Sequence, residues 1–220
     1  MATDGKSNNY DNVAGFEIFD SGISRRYDRG STVLYEEQEP PGVYLITYGF
    51  LKACTITPDG ERNIVWVLGH YEIFPLTWAV SGRPVDVAYT AITPVVLEMV
   101  PLAVFKEALQ TNRRFADKVT HTLSDLFSSH SERVQNLEFR RARQRIAYRL
   151  LYLARKWGSQ EGDGISLDLP VTHQDLADAT AMTRETANRE MLRLASAGHI
   201  SLAGTRVKIK KPEALALICQ

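Results

Sequence analysis

Between Asn112 and Leu137 the chain contains neither proline nor glycine. This run constrains the fold of the 220-residue chain more than any other feature. Its apolar residues Phe115, Val119, Leu123, Leu126, Val134 and Leu137 recur mostly at spacings of three or four, which lines them along one side of a helix. Asn112 supplies an N-cap. A helix of about 25 residues spans about 38 Å at 1.5 Å per residue. That length suits either a helix lying on its own sheet or one paired along a second copy in a short coiled coil. Thr122, Ser129 and His130 interrupt the apolar seam.

The residues before this helix follow a different period. Short runs rich in β-branched and aromatic residues (31–35, 42–47, 51–56, 63–68 and 94–100) alternate with the turn signals Asp28-Arg29-Gly30, Pro40-Pro41-Gly42, Tyr48-Gly49, Pro58-Asp59-Gly60 and Ser81-Gly82-Arg83-Pro84. Regular short strands with this punctuation predict a sandwich or barrel. Pro101 to Leu109 then reads as one short helix with Pro in its first turn.

After the long helix comes an arginine run, Arg140, Arg141, Arg143, Arg145 and Arg149, which merges into another helical pattern. Gly158 to Gly164 reads as a polar loop that ends it. Thr172 can cap a helix over residues 173–179, a break follows at 180–182, and Thr183 can cap a second helix over residues 184–194. Two short helices joined by a tight turn make a helix-turn-helix. Alternation on both sides of Ala203-Gly204 predicts a β-hairpin whose far arm carries Arg206, Lys208, Lys210 and Lys211. The charge distribution agrees: residues 140–220 hold 14 Lys and Arg against 8 Asp and Glu, whereas residues 1–139 hold 12 against 18. A basic half beside an acidic one points to an anionic partner for the C-terminal half, most commonly the phosphate backbone.

With these residues in place, the chain resembles the CRP/FNR family of bacterial transcription regulators over residues 15–220. Tyr27-Asp28-Arg29-Gly30, Tyr44-Leu45-Ile46 and Gly49-Phe50-Leu51-Lys52 look like the family's sensor barrel, and Thr183-Arg184-Glu185-Thr186-Ala187-Asn188-Arg189 looks like its recognition helix. The resemblance implies an α+β fold. A double-stranded β-helix (jelly-roll) sensor domain at 15–110 follows a disordered lead-in at 1–14. A dimerisation helix at 111–138 leads to a winged helix-turn-helix at 139–220. It also implies a homodimer on double-stranded DNA, with RNA polymerase as a partner if the protein activates. Arg184, Glu185 and Arg189 match the residues that read a TGTGA-like half-site. Thr172, His173, Gln174, Thr183, Thr186, Asn188, Arg206 and Lys208 complete the expected DNA-contacting set. Ala181 departs from the family pattern, which often has Gly in the turn.

The signal is argued from residues. Cyclic-nucleotide members use a Gly-Glu pair and an Arg-Ser/Thr pair around the ribose phosphate. Here Pro75 and Leu76 stand in the first slots and Val85 and Asp86 in the second. A carboxylate in a phosphate site repels by about 1 kcal/mol in water and about 4 kcal/mol at an effective dielectric of 20, at 4 Å. Pro75 also removes an N–H donor. These features argue against cyclic AMP. Cys54 and Cys219 are too few for an iron–sulfur cluster, which needs about four cysteine ligands. A haem sensor would need His70 or Cys54 as axial ligand, and His70, following Leu68-Gly69, reads as a turn residue. What remains is an apolar pocket walled by Phe74, Leu76, Trp78, Val87 and Tyr89 and closed by Thr122 and Leu126, suited to a small organic effector. A regulator with a filled, ligand-free barrel is the alternative. No nucleophile–base pair or histidine cluster suggests an enzyme or a metal site. No run approaches the roughly 18–20 apolar residues of a membrane span, and Met1 to Lys6 lead into no apolar core, so a cytoplasmic location is expected.

Overall fold

Turn chemistry sets the strand boundaries of the N-terminal half. The computed structural model describes residues 15–57, 59–139 and 141–219. A 3₁₀ turn at Glu17–Phe19 leads into strands β1 (Ile23–Tyr27), β2 (Thr32–Leu34), β3 (Val43–Tyr48), β4 (Leu51–Ile56), β5 (Arg62–Leu68) and β6 (Ile73–Phe74). Helix α1 (Leu76–Ser81), strands β7 (Ala88–Ala91) and β8 (Val95–Val100) and helix α2 (Leu102–Thr111) follow. The proline- and glycine-free run is helix α3 (Arg113–Phe139). Beyond it lie α4 (Ala142–Trp157), β9 (Gly158–Glu161), β10 (Gly164–Leu167), α5 (His173–Thr180), α6 (Arg184–Ser196), β11 (Ile200–Ala203), β12 (Arg206–Ile209) and α7 (Pro212–Ile218). This is the α+β arrangement expected: a β-sheet N-terminal half, a long helix and a C-terminal helix-turn-helix. The lead-in at residues 1–14, Pro58 and Arg140 fall outside the described residues.

Two turns show the local logic. Gly49, between β3 and β4, has φ +85°, and a Cβ there would meet the Pro94 carbonyl oxygen at 2.2 Å. Only glycine satisfies both the conformation and the close approach. Asn112 caps α3 as its sequence suggested, its Oδ1 accepting from the Phe115 N–H at 3.1 Å.

The described residues form two compact units, one of residues 15–51 and 68–127 and one of 52–67 and 128–219. In the first, an antiparallel sheet runs β1–β8–β3–β6, with Ile23 opposite Met99 and Val43 opposite Val100. Alternation in β8 buries Val95, Leu97 and Met99 and leaves Val96 and Glu98 half-buried, as expected of a strand with one face on a core. Helix α2 joins that unit through Phe105, whose ring meets Phe115 of α3 edge-on at 5.3 Å, both fully buried. In the second unit, Ile146, Leu150 and Leu153 of α4 are buried, as are Leu176 of α5, Met191 of α6 and Leu215 of α7.

Several elements departed from the sequence reading. Gly158 to Gly164 is not a plain loop: β9 and β10 pair there, with Gly164 opposite Glu161, and join a sheet ordered β11–β12–β10–β9. All four β9 residues are exposed, so it lacks the alternation by which strands are read. The strands β1, β6 and β7 and helix α1 were also not anticipated, being short or without a clear period. The hairpin turn falls one residue later than read, at Gly204-Thr205, because Ala203 pairs with Arg206.

Replacing Phe105 by Ala removes a fully buried ring from the α2–α3 contact. Chemical denaturation should show a loss of about 3–5 kcal/mol. A loss below about 1 kcal/mol would contradict this packing.

Candidate nucleic-acid interface

The two helices of the motif start where threonine hydroxyls can receive them. The Thr172 side chain accepts from the Asp175 N–H at 2.9 Å and the Thr183 side chain from the Thr186 N–H at 3.2 Å. Each satisfies one of the orphan donors of a first helical turn. Between the helices, Ala181 takes a left-handed conformation, φ 49° and ψ 60°. A non-glycine residue there costs roughly 1–2 kcal/mol. Arg145 of α4 holds the turn, its guanidinium donating to the carbonyls of Thr180 at 3.1 Å and Ala181 at 3.3 Å. The departure at Ala181 therefore leaves the turn intact, braced by an arginine whose role the sequence did not reveal.

Around this frame the sequence-predicted residues are distributed unevenly. Arg184, Glu185 and Arg189 on α6 and Gln174 on α5 are exposed, whereas Thr186, Asn188, Thr172 and His173 are half-buried. The Gln174 amide donates to Asp178 at 2.6 Å. Gln174 and Arg184 also border an open cleft of about 750 Å³, shared with Lys52, Glu61 and Arg62 of the same unit. Arg206 is exposed on β12, while Lys208 is half-buried and lies 3.6 Å from the Glu161 carboxylate of β9. That acidic partner comes from the strand the sequence did not disclose.

One buried carboxylate organises the inner side of α6. Glu190 is 4% exposed and accepts from Arg193 at 2.6 Å and Arg143 at 3.2 Å, with the Arg189 Nε at 3.7 Å. The first two contacts tie α6 to itself and to α4. The third holds the Arg189 guanidinium near the exposed face, where a charged donor is available to a ligand.

In the N-terminal unit, Phe74, Leu76, Trp78, Val87 and Tyr89 are all buried. The Phe74 ring stacks on Tyr44 at 5.1 Å and meets Tyr89 at 4.7 Å. Tyr44, at one end of this ring stack, was not among the pocket residues inferred from sequence. Burial, and secondarily Asp86, pushes the Tyr89 phenol up, so it is a neutral hydrogen-bonding group. Thr122 and Leu126 are half-buried on α3, and the Thr122 hydroxyl donates to the Lys118 carbonyl at 2.9 Å. Val85 is buried and Asp86 exposed. The case against a phosphate at these slots thus rests on apolar Val85 and on Pro75 more than on the Asp86 carboxylate. His70 lies 3.1 Å from the Thr47 carbonyl through Nδ1 and packs edge-on against Tyr48 and Phe50. Cys54 is buried, and burial pushes its thiol up to about 11, leaving it protonated at neutral pH. No helix among the described residues is long and apolar enough to cross a membrane.

Known proteins share both parts of this arrangement. Residues 144–218 match the Crp-like helix-turn-helix domain and residues 24–112 the cyclic nucleotide-binding domain. The chain is 28% identical over 193 residues to the Global nitrogen regulator of Synechococcus elongatus, covering 87% of each. It is 26% identical over 190 residues to the CRP-like cAMP-activated global transcriptional regulator of Mycobacterium tuberculosis, covering 86% of this chain and 85% of that protein. In fold it resembles FixK2 from Bradyrhizobium japonicum, with TM-score 0.79 at 20% identity, covering 90% of this chain and 98% of that one.

The caps make a direct test of how the reading helix is held. Thr183→Ala should lower stability by about 1 kcal/mol in thermal or chemical denaturation, with Thr183→Ser close to the parent. Equal losses in the two variants would show that the hydroxyl is not the stabilising group.

Proposed function

This chain belongs to the CRP/FNR family of transcription regulators, and we propose that it acts as a homodimer that reads a palindromic, TGTGA-like operator. The observation that carries this reading is the capped N-terminal end of α6, where Arg184, Glu185 and Arg189 are exposed. Arg suits guanine O6 and N7 bidentately, and Glu accepts from cytosine N4. The N-terminal residues of a recognition helix are the ones that meet base edges. Arg206 on the adjacent hairpin is placed to neutralise phosphate, a contact that positions without specifying.

Pairing of two copies is supported by α3. Phe127 is 76% exposed and Val134 37% exposed, seven residues apart on one helix. Apolar residues at that spacing suit a coiled-coil seam. Two reading helices about 34 Å apart then address successive major grooves.

The reading extends to a small-molecule effector other than a cyclic nucleotide, bound by the apolar residues of the N-terminal unit, in a protein that works in the cytoplasm. Buried Val85 and Pro75 in the phosphate slots support the exclusion. A second reading, a ligand-free regulator, is favoured by the direct packing of Tyr44, Phe74 and Tyr89 on one another, which fills the space a ligand would need.

Arg184→Ala should weaken binding to the operator by roughly 1–3 kcal/mol and relax base choice at one position of each half-site. Fluorescence anisotropy on the operator, single-substituted operators and random DNA measures it. An equal loss on random DNA would mean that Arg184 contacts phosphate instead.

A further inference from the structure

Two arginines of the C-terminal unit, one buried and one half-buried, have no ion pair among the described residues. Arg149 of α4 is 7% exposed, and its guanidinium lies over the Tyr152 ring at 5.2 Å. Among the described residues it has neither an ion-pair partner nor a hydrogen-bond acceptor. Arg133 of α3 follows Glu132, whose carboxylate accepts from the hydroxyl of Tyr148, the residue before Arg149. Arg133 donates one hydrogen bond to Asn63 of β5, and its Nε is shut off from solvent without a partner.

The neighbouring carboxylates are already engaged. Asp175 accepts from Lys52 at 2.6 Å and from the Thr172 hydroxyl at 2.5 Å. Glu132 accepts from the Tyr148 hydroxyl at 2.5 Å and from Arg155 at 3.4 Å. Burial depresses both guanidinium pKa values, and for Arg149 the repulsion from Arg133 adds to it, yet arginine stays charged in proteins. Buried charges are ordinarily paired, because an uncompensated one is strongly destabilising. Nearby polar atoms are also unsatisfied: Nε1 of Trp66 on β5 and Oδ1 of Asn136, which is 4% exposed on α3. The Trp66 ring lies 6.0 Å from His130, one helical turn before Arg133.

We propose that Arg133 and Arg149 form an anion-binding site for a small, doubly charged oxyanion, as presented by a phosphate monoester or a dicarboxylate. Two guanidiniums match such a ligand in charge and offer donors in planar forks suited to its oxygens. Trp66 Nε1 adds a neutral donor, and the Asn136 amide can turn to offer its NH₂. The site uses none of the residues assigned to the apolar pocket or to base reading, so it stands or falls separately from the proposed function.

Thermal unfolding of the full chain tests it, in sodium phosphate, sodium succinate and sodium chloride at matched ionic strength. Phosphate or succinate should raise Tm saturably, by about 5–10 °C at a hundredfold excess over Kd, and chloride should not. Arg149→Met should abolish the rise. Arg133→Met, at a less buried position, should abolish it too and serves as the readout if Arg149→Met does not fold. No saturable rise in the parent, or an equal rise in the variants, overturns the proposal. So does a Tm that climbs with protein concentration and ignores both anions, which would assign the guanidiniums to a carboxylate of a second copy.

Discussion

The geometry of the helix-turn-helix depends on one left-handed residue and the arginine that holds it. Ala181 reverses the chain between α5 and α6 at φ 49°, a conformation that glycine adopts freely and alanine does not. Arg145 supplies what the missing glycine would have made unnecessary, by binding the carbonyls on either side of the reversal. Those carbonyls belong to the end of α5, where the helix has run out of its own donors. One side chain thus satisfies an orphaned helix end and fixes the direction in which α6 departs. The exposure of Arg184, Glu185 and Arg189 follows from that direction.

The C-terminal unit handles its arginines in two ways. Around Glu190 one buried carboxylate gathers Arg143, Arg189 and Arg193, all three about half exposed. The desolvation cost falls on a single group, and the cations remain hydrated. Around Arg149 the situation is reversed: the cation is buried, and the carboxylates within reach serve other donors. The first arrangement gathers hydrated cations on a shared carboxylate and reads as structural. The second leaves a buried cation without a carboxylate of its own, and that carries the proposed anion site.

What could be read from sequence followed from how strongly each element is written in local chemistry. The long helix, both threonine caps and the exposed charges of α6 announce themselves through period and spacing, and the fold class followed from them. The β9–β10 hairpin did not, because all of β9 is exposed and carries no alternation. With it went the ion pair of Glu161 with Lys208. Phe74, Leu76, Trp78, Val87 and Tyr89 were legible as apolar residues of the barrel, yet Tyr44, at the end of the ring stack, was not, since the pairing of β3 with the short strand β6 brings it onto Phe74. Asp86 was read as facing a phosphate because it stands with Val85 in the slots of the Arg-Ser/Thr pair. In the fold the two residues take opposite environments, as neighbours in extended chain do. Arg145 and Arg149 belonged to an arginine run that sequence alone describes only as basic, and Glu190 to a helix read for its outer face.

The helix-turn-helix is thus specified by short-range chemistry, and the interior of the N-terminal unit by packing. The central claim concerns the first: that Arg184, Glu185 and Arg189 read bases and that two copies read them together. Selection of binding sites from a random DNA pool tests it most directly. The account predicts enrichment of a TGTGA-like half-site repeated as a palindrome with centres about one helical turn or a multiple of it apart. Enrichment of a lone, non-palindromic sequence, or of none, would contradict it.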